Sequence, residues 1–167
     1  FILTQLLVMA LKGVPAFYLP ALLASENDIK SFSMTGQRRD LNREKFKSEN
    51  LLSIFNNPDS NANKNLKFLN NAMDVRSKLK QFHPCSEMKC LSNGRSDIVV
   101  IKRGIGRQAV FVIHNMTENK INFQLNDKEL PKLVQNNFNM CDYLTSNKYN
   151  WKNISLNSFQ VIWLSTL

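Results

Sequence analysis

Near Ser86 the hydrophobic period of the chain changes, and that change limits the fold more than any other feature. Before it, Asn63 to Phe82 places Leu66, Leu69, Met73, Val75, Leu79 and Phe82 at spacings near three and four, which is one face of a helix. After it, Asp97 to Arg103 (DIVVIKR) and Gln108 to Met116 (QAVFVIHNM) are rich in β-branched and aromatic residues. Gly104-Ile105-Gly106 between them reads as a hairpin turn. Lys120 to Leu125, Asp142-Tyr143-Leu144, Asn153 to Leu156 and Phe159 to Leu164 continue as short strands. Several short antiparallel strands predict a β-sandwich. A helical part over 1–84 and a β domain over 85–167 are therefore expected.

The helical part opens on two apolar runs. Phe1 to Leu11 reads as the end of a buried helix, stopped by Lys12-Gly13. Val14 to Leu19 (VPAFYL) reads as a strand buried on both faces, as in a parallel sheet. Helix followed by buried strand is an α/β pattern. Gly13, Pro15 and Pro20 interrupt the apolar stretch, so one continuous membrane-spanning helix is not expected. The first residue is Phe1, so the chain is expected to begin inside a longer one. Further on, Glu44 to Phe55 carries an apolar set, and the cluster from Asn56 to Asn61 is a breaker. Asp59 or Ser60 is placed to cap the helix that follows.

With 167 residues, 43% of them hydrophobic and 21% charged, the chain can build a core, and general disorder is excluded. The net charge of +9 admits phosphate or acidic ligands, but the basic residues are scattered. No stripe interleaved with aromatics points to nucleic acid. Arg76, Lys78 and Lys80 read as a solvated helix face. Three cysteines (Cys85, Cys90, Cys141) are an odd number for a disulfide framework, so reduced thiols and a cytoplasmic location are expected. A cytoplasmic chain would not use the glycosylation triplets Asn115-Met116-Thr117 and Asn153-Ile154-Ser155. His83, Cys85 and Cys90 lack a zinc spacing, and no metal or cofactor is expected. His114, in an alternating run, reads as a strand residue.

The chemistry is concentrated in the polar stretch after Leu19, about two dozen residues long, a length often functional in compact domains. Arg39 and Arg43 bracket Asp40 and Asn42. Guanidinium forks suit carboxylates, phosphates and sugar hydroxyls. The competing reading is a local ion pair between Asp40 and an arginine that fixes the loop.

Gly-Val-Pro-Ala-Phe-Tyr, then Leu-Leu-Ala-Ser-Glu-Asn-Asp, then Gly-Gln-Arg-Arg-Asp-Leu-Asn-Arg-Glu-Lys-Phe resembles the last barrel strand and following loop of sucrose phosphorylases. These belong to the α-amylase superfamily (glycoside hydrolase family 13), in the branch with sucrose 6-phosphate and glucosylglycerate phosphorylases. The resemblance implies the last βα unit of a (β/α)8 barrel followed by a C-terminal antiparallel β-sandwich. It implies a retaining enzyme in which phosphate takes a glucosyl group from a carboxylate nucleophile. By position Arg43 falls on the family arginine that meets glucose in the donor subsite, and Arg39 and Asp40 shape the same loop. Nothing in the chain matches the family's catalytic carboxylates. The resemblance therefore implies no turnover by this chain alone, and as its partners a glucoside, phosphate and the missing N-terminal barrel portion. The rival expectation is a non-catalytic carbohydrate-binding β module using Trp151 or Trp163.

Overall fold

The computed structural model describes residues 1–130 and 139–165. They form two compact units, Phe1–Ile2 with Ala16–Asn71, and Leu3–Pro15 with Ala72–Leu167. Helix α5 (Asn61–Lys78) contributes to both.

The first unit is a set of short helices with little interior. Helix α2 (Leu19–Leu22) starts with Pro20 in its first turn, where the missing N–H is no loss. Helices α3 (Ile29–Thr35) and α4 (Ser48–Asn56) bury no residue. Ile29, Met34, Leu52 and Phe55 are all exposed. Two buried asparagines on α5 close the ends of earlier helices: Asn65 Nδ2 donates to the Leu22 carbonyl (2.7 Å) and Asn63 Nδ2 to the Phe55 carbonyl (2.8 Å). Terminal carbonyls without intrahelical partners are thereby satisfied. Ser60 caps α5, its Oγ accepting from the Asn63 amide at 3.1 Å.

The VPAFYL strand does not form. Residues 14–18 have no regular secondary structure, Leu19 begins α2, and Val14 is 79% exposed. A parallel strand is completed by neighbours on each side, and among the described residues no strand pairs with this segment. The polar stretch after it is not an open loop either, since it folds into α3 and a 3₁₀ turn, Arg38–Asn42.

The second unit holds helix α1 (Ile2–Ala10) from Leu3 on and an antiparallel β domain. Leu3, Leu6, Met9 and Ala10 make the buried stripe of α1. The strands are β1 (Met88–Cys90), β2 (Ile98–Arg103), β3 (Val110–Asn115), β4 (Ile121–Phe123), β5 (Asn139–Asp142), β6 (Lys148–Asn150), β7 (Ile154–Leu156) and β8 (Val161–Ser165). Six of them form one sheet in the order β1-β2-β3-β8-β5-β6, and β4 pairs with β7 in a second sheet. Ile98, Val100, Phe111, Ile113, Ile162 and Leu164 pack with Phe123, Ile154 and Leu156 into one core. The edges β1 and β6 are short and carry Lys89 and Lys148, which discourages further pairing.

Central strands β3 and β8 are buried on both faces. A second cover accounts for this. After α5 the 3₁₀ turn Lys80–Phe82 lays Phe82 on Trp163, ring centroids 4.7 Å apart. The strand expected at Asp142–Leu144 lies earlier, because the Asp142 carboxylate turns the chain. Its Oδ1 accepts from the amides of Leu144 (3.2 Å) and Trp163 (2.7 Å), and Oδ2 from the Thr145 hydroxyl (2.6 Å).

Candidate functional site

Asp28 precedes Ile29 and caps α3, accepting from the Ser31 amide (2.9 Å) and hydroxyl (2.6 Å). The Ser31 hydroxyl, and then its amide, hold the Asp28 carboxyl below the usual carboxylate range. Gly36 ends the helix at φ 66°, a conformation that favours glycine, with its N–H on the Phe32 carbonyl. The Asp28 amide donates to the Leu41 carbonyl at 2.7 Å, bringing the 3₁₀ turn back onto the start of α3.

On this base the arginines are displayed. Arg38, Arg39 and Arg43 are exposed, and Asp40 between them is half-buried. The alternative Asp40–arginine ion pair is not formed: Asp40 Oδ2 accepts from the Thr35 hydroxyl at 2.6 Å. Thr35 Oγ1 also accepts from the Gln37 amide (3.2 Å), joining the helix end to the turn. Among the described residues the Arg39 and Arg43 guanidiniums make no hydrogen bond or ion pair. Such an arrangement offers free, directional cationic donors to an anion or a polyol. Thr35 went unread in the sequence. Asp28 before Ile29 and Gly36 after Thr35 were signals that a helix would present it.

Two further arginines serve the fold, the first of them against expectation. Arg76 is not on a solvated face. Its Nε donates to the Met9 carbonyl and its Nη2 to the Gly13 carbonyl, both at 3.0 Å. It thereby caps the end of α1 and holds the chain where it leaves that helix. Arg103 is fully buried, with Nε on the Gln81 carbonyl (3.2 Å) and Nη2 on the His83 carbonyl (3.1 Å). Both guanidiniums lie near Phe82, at 5.7 and 5.6 Å from its centroid. Burial, and then the charge of Arg76, lower the pKa of Arg103.

The rival site is closed off. Trp151 is 2% exposed and Trp163 0%, so neither offers a stacking face to a sugar. His114 is buried in β3 with no partner on either ring nitrogen among the described residues, and burial pushes its pKa down to about 4. His83 Nδ1 accepts from the Cys85 amide in a local turn. Asn115, in the first glycosylation triplet, is buried and donates to the Asn119 and Asn157 carbonyls. Among the described residues no helix is long and apolar enough to cross a membrane.

No protein-family model matches the chain. In sequence it is 32% identical over 118 residues to a glucosylglycerate phosphorylase of Allomeiothermus silvanus, covering 71% of this chain and 21% of that protein. To the glucosylglycerate phosphorylase of Escherichia coli it is 29% identical over 84 residues, 50% of this chain and 15% of the relative. The chain thus spans about a fifth or less of the curated relatives it matches. In fold it is similar to trehalose-6-phosphate hydrolase of Bacillus licheniformis (TM-score 0.68, 16% identity, 98% of this chain and 38% of that one). It is similar also to trehalulose synthase of Pseudomonas mesoacidophila (TM-score 0.69, 13% identity, 98% and 37%). The curated relatives agree with the family resemblance read from the sequence, and the solved structures share the fold.

Proposed function

Because the chain resembles the carboxyl-terminal part of sucrose phosphorylase-like enzymes of the α-amylase superfamily, we propose that it is one part of a retaining α-glucoside phosphorylase. The complete enzyme would cleave an α-glucoside of the sucrose or glucosylglycerate type with phosphate, releasing glucose 1-phosphate. Residues 1–84 would supply the end of the catalytic barrel, and 85–167 its β domain. The observation that carries the reading is the Arg38–Asn42 turn, with Asp40 occupied by Thr35 and Arg43 left free for a ligand. Arg43 would meet the donor glucose, while Arg39 and Asp40 shape the loop.

The carboxylate nucleophile and the acid/base would come from polypeptide beyond this chain. Two observations support such a division. The matched relatives are more than three times as long as this chain, and the matched segment covers about a fifth of them or less. The helices α3 and α4 leave apolar side chains without a core of their own. Completion of the barrel would also give residues 14–18 the strand neighbours that they lack.

The test is reconstitution. The 167-residue chain incubated with glucosylglycerate and phosphate releases no glucose 1-phosphate. The Allomeiothermus silvanus relative, with its matching segment replaced by this chain, releases it. Arg43→Ala in that chimera lowers kcat/KM about a hundredfold or more, as loss of a positioning contact does. Turnover by the chain alone, or an active chimera indifferent to Arg43, would sink the proposal.

A further inference from the structure

The small sheet bears an unclaimed groove. In the β4–β7 pair Asn122 faces Ser155 and Phe123 faces Ile154. Strand alternation sends Ile121, Phe123, Ile154 and Leu156 into the core and leaves Asn122 and Ser155 outward. A hollow of about 320 Å³ is lined by Asn93, Arg95, Asn122, Phe123, Gln124, Lys152 and Asn153. A second hollow of about 360 Å³ shares Asn93 and Arg95, so that loop is a wall common to both.

That wall is rigid before any ligand arrives. Arg95 donates through Nε and Nη2 to the two carboxylate oxygens of Asp97 (2.8 and 2.6 Å), and through Nη1 to the Asn122 carbonyl (3.0 Å). Asn93 Oδ1 accepts from the Arg95 amide (2.9 Å), and its Nδ2 donates to the Ile98 carbonyl (3.2 Å). The floor is anchored by the buried residues that alternate with it. The main chain that carries the site is therefore set in advance, and binding orders only the exposed side-chain amides.

The side-chain amides of Asn122, Gln124 and Asn153 have no hydrogen-bond partner among the described residues. Each offers two donors and an acceptor. Arg95 is neutralised by Asp97, and Lys152 sits over the Trp151 ring at 5.4 Å. The groove is thus dominated by uncharged groups that donate and accept side by side. Adjacent hydroxyls of a sugar need that combination, whereas a small anion needs donors alone. We propose that this groove binds a neutral oligosaccharide through the amides of Asn122, Gln124 and Asn153. The inference uses no residue of the arginine-bearing turn and does not depend on the glucosyl-transfer reading.

Titration of the full 167-residue chain with maltotriose, followed by ¹H–¹⁵N spectra, tests it. Saturable shifts are expected for the side-chain amides of these three residues and for the backbone of residues 93–95. The triple variant Asn122→Ala, Gln124→Ala, Asn153→Ala changes exposed side chains only, and its unchanged remaining spectrum checks the fold. Its affinity falls about tenfold or more, the loss of a few hydrogen bonds. Absence of saturable shifts, equal binding by the variant, or displacement of the same amides by inorganic phosphate in place of maltotriose would overturn the proposal.

Discussion

The Thr35 hydroxyl donates to Asp40 Oδ2 at 2.6 Å, so the acid between Arg39 and Arg43 is held by the end of helix α3. The two arginines keep their charge for something else. Thr35→Val removes the donor and frees Asp40 to pair with a neighbouring guanidinium. The expected cost is about 1 kcal/mol for an exposed bond. Arginine Nε resonances should move in Thr35→Val and stay in place in Thr35→Ser; identical spectra for both would refute the link.

His114 makes stability depend on pH. Its folded pKa is depressed from 6.5 to about 4 by burial. The unfolded chain therefore takes up a proton at a pH where the folded chain does not. This contribution is intact above about pH 6.5, is lost as pH falls towards about 4, and is level below that. The full loss is about 3 kcal/mol. Denaturation at pH 7 and pH 4.5 should show a steeper fall for the parent than for His114→Leu, with carboxylate effects common to both. Equal falls would contradict the assignment.

Phe82 joins the end of α5 to the outer face of the large sheet. It is 1% exposed, rests on Trp163 and has a guanidinium on Arg76 and on Arg103 close by. Phe82→Ala should destabilise the second unit by about 3–5 kcal/mol, the range for a buried aromatic replaced by alanine. Guanidinium denaturation followed by tryptophan fluorescence measures it. A loss under about 1 kcal/mol would mean that the contact is dispensable.

Arg103 satisfies two main-chain carbonyls with one planar fork, and no carboxylate balances it among the described residues. A lysine keeps the charge but cannot reach the Gln81 and His83 carbonyls in that geometry. Arg103→Lys is expected to lose about 1–3 kcal/mol, close to the loss in Arg103→Met. Parent-like stability of the lysine variant would show that charge alone suffices.

The local readings that came true rest on near-neighbour chemistry. The helix before Lys12-Gly13, a cap at Asp59 or Ser60, the long helix after it and the β2–β3 hairpin around Gly104 were all visible in the residues. So was the family resemblance carried by residues 13–46. Such features depend on spacing, capping and turn preference within a few positions.

What sequence could not reach was choice of partner. VPAFYL has strand composition, but a strand exists only when other strands pair with it, and the described residues offer none. Asp40 had arginines beside it in sequence and took a threonine five residues back instead, because α3 ends against the turn. Arg76 read as part of a solvated helix face, yet tertiary packing set its guanidinium on carbonyls at the end of α1. Trp151 and Trp163, which the rival carbohydrate-binding reading needed exposed, are closed by the packing of the β domain. The amino-acid sequence by itself determined the period of each segment, its caps and turns, and the family likeness. The tertiary structure alone decided which polar groups meet, because hydrogen bonding between distant segments depends on where the backbone brings them.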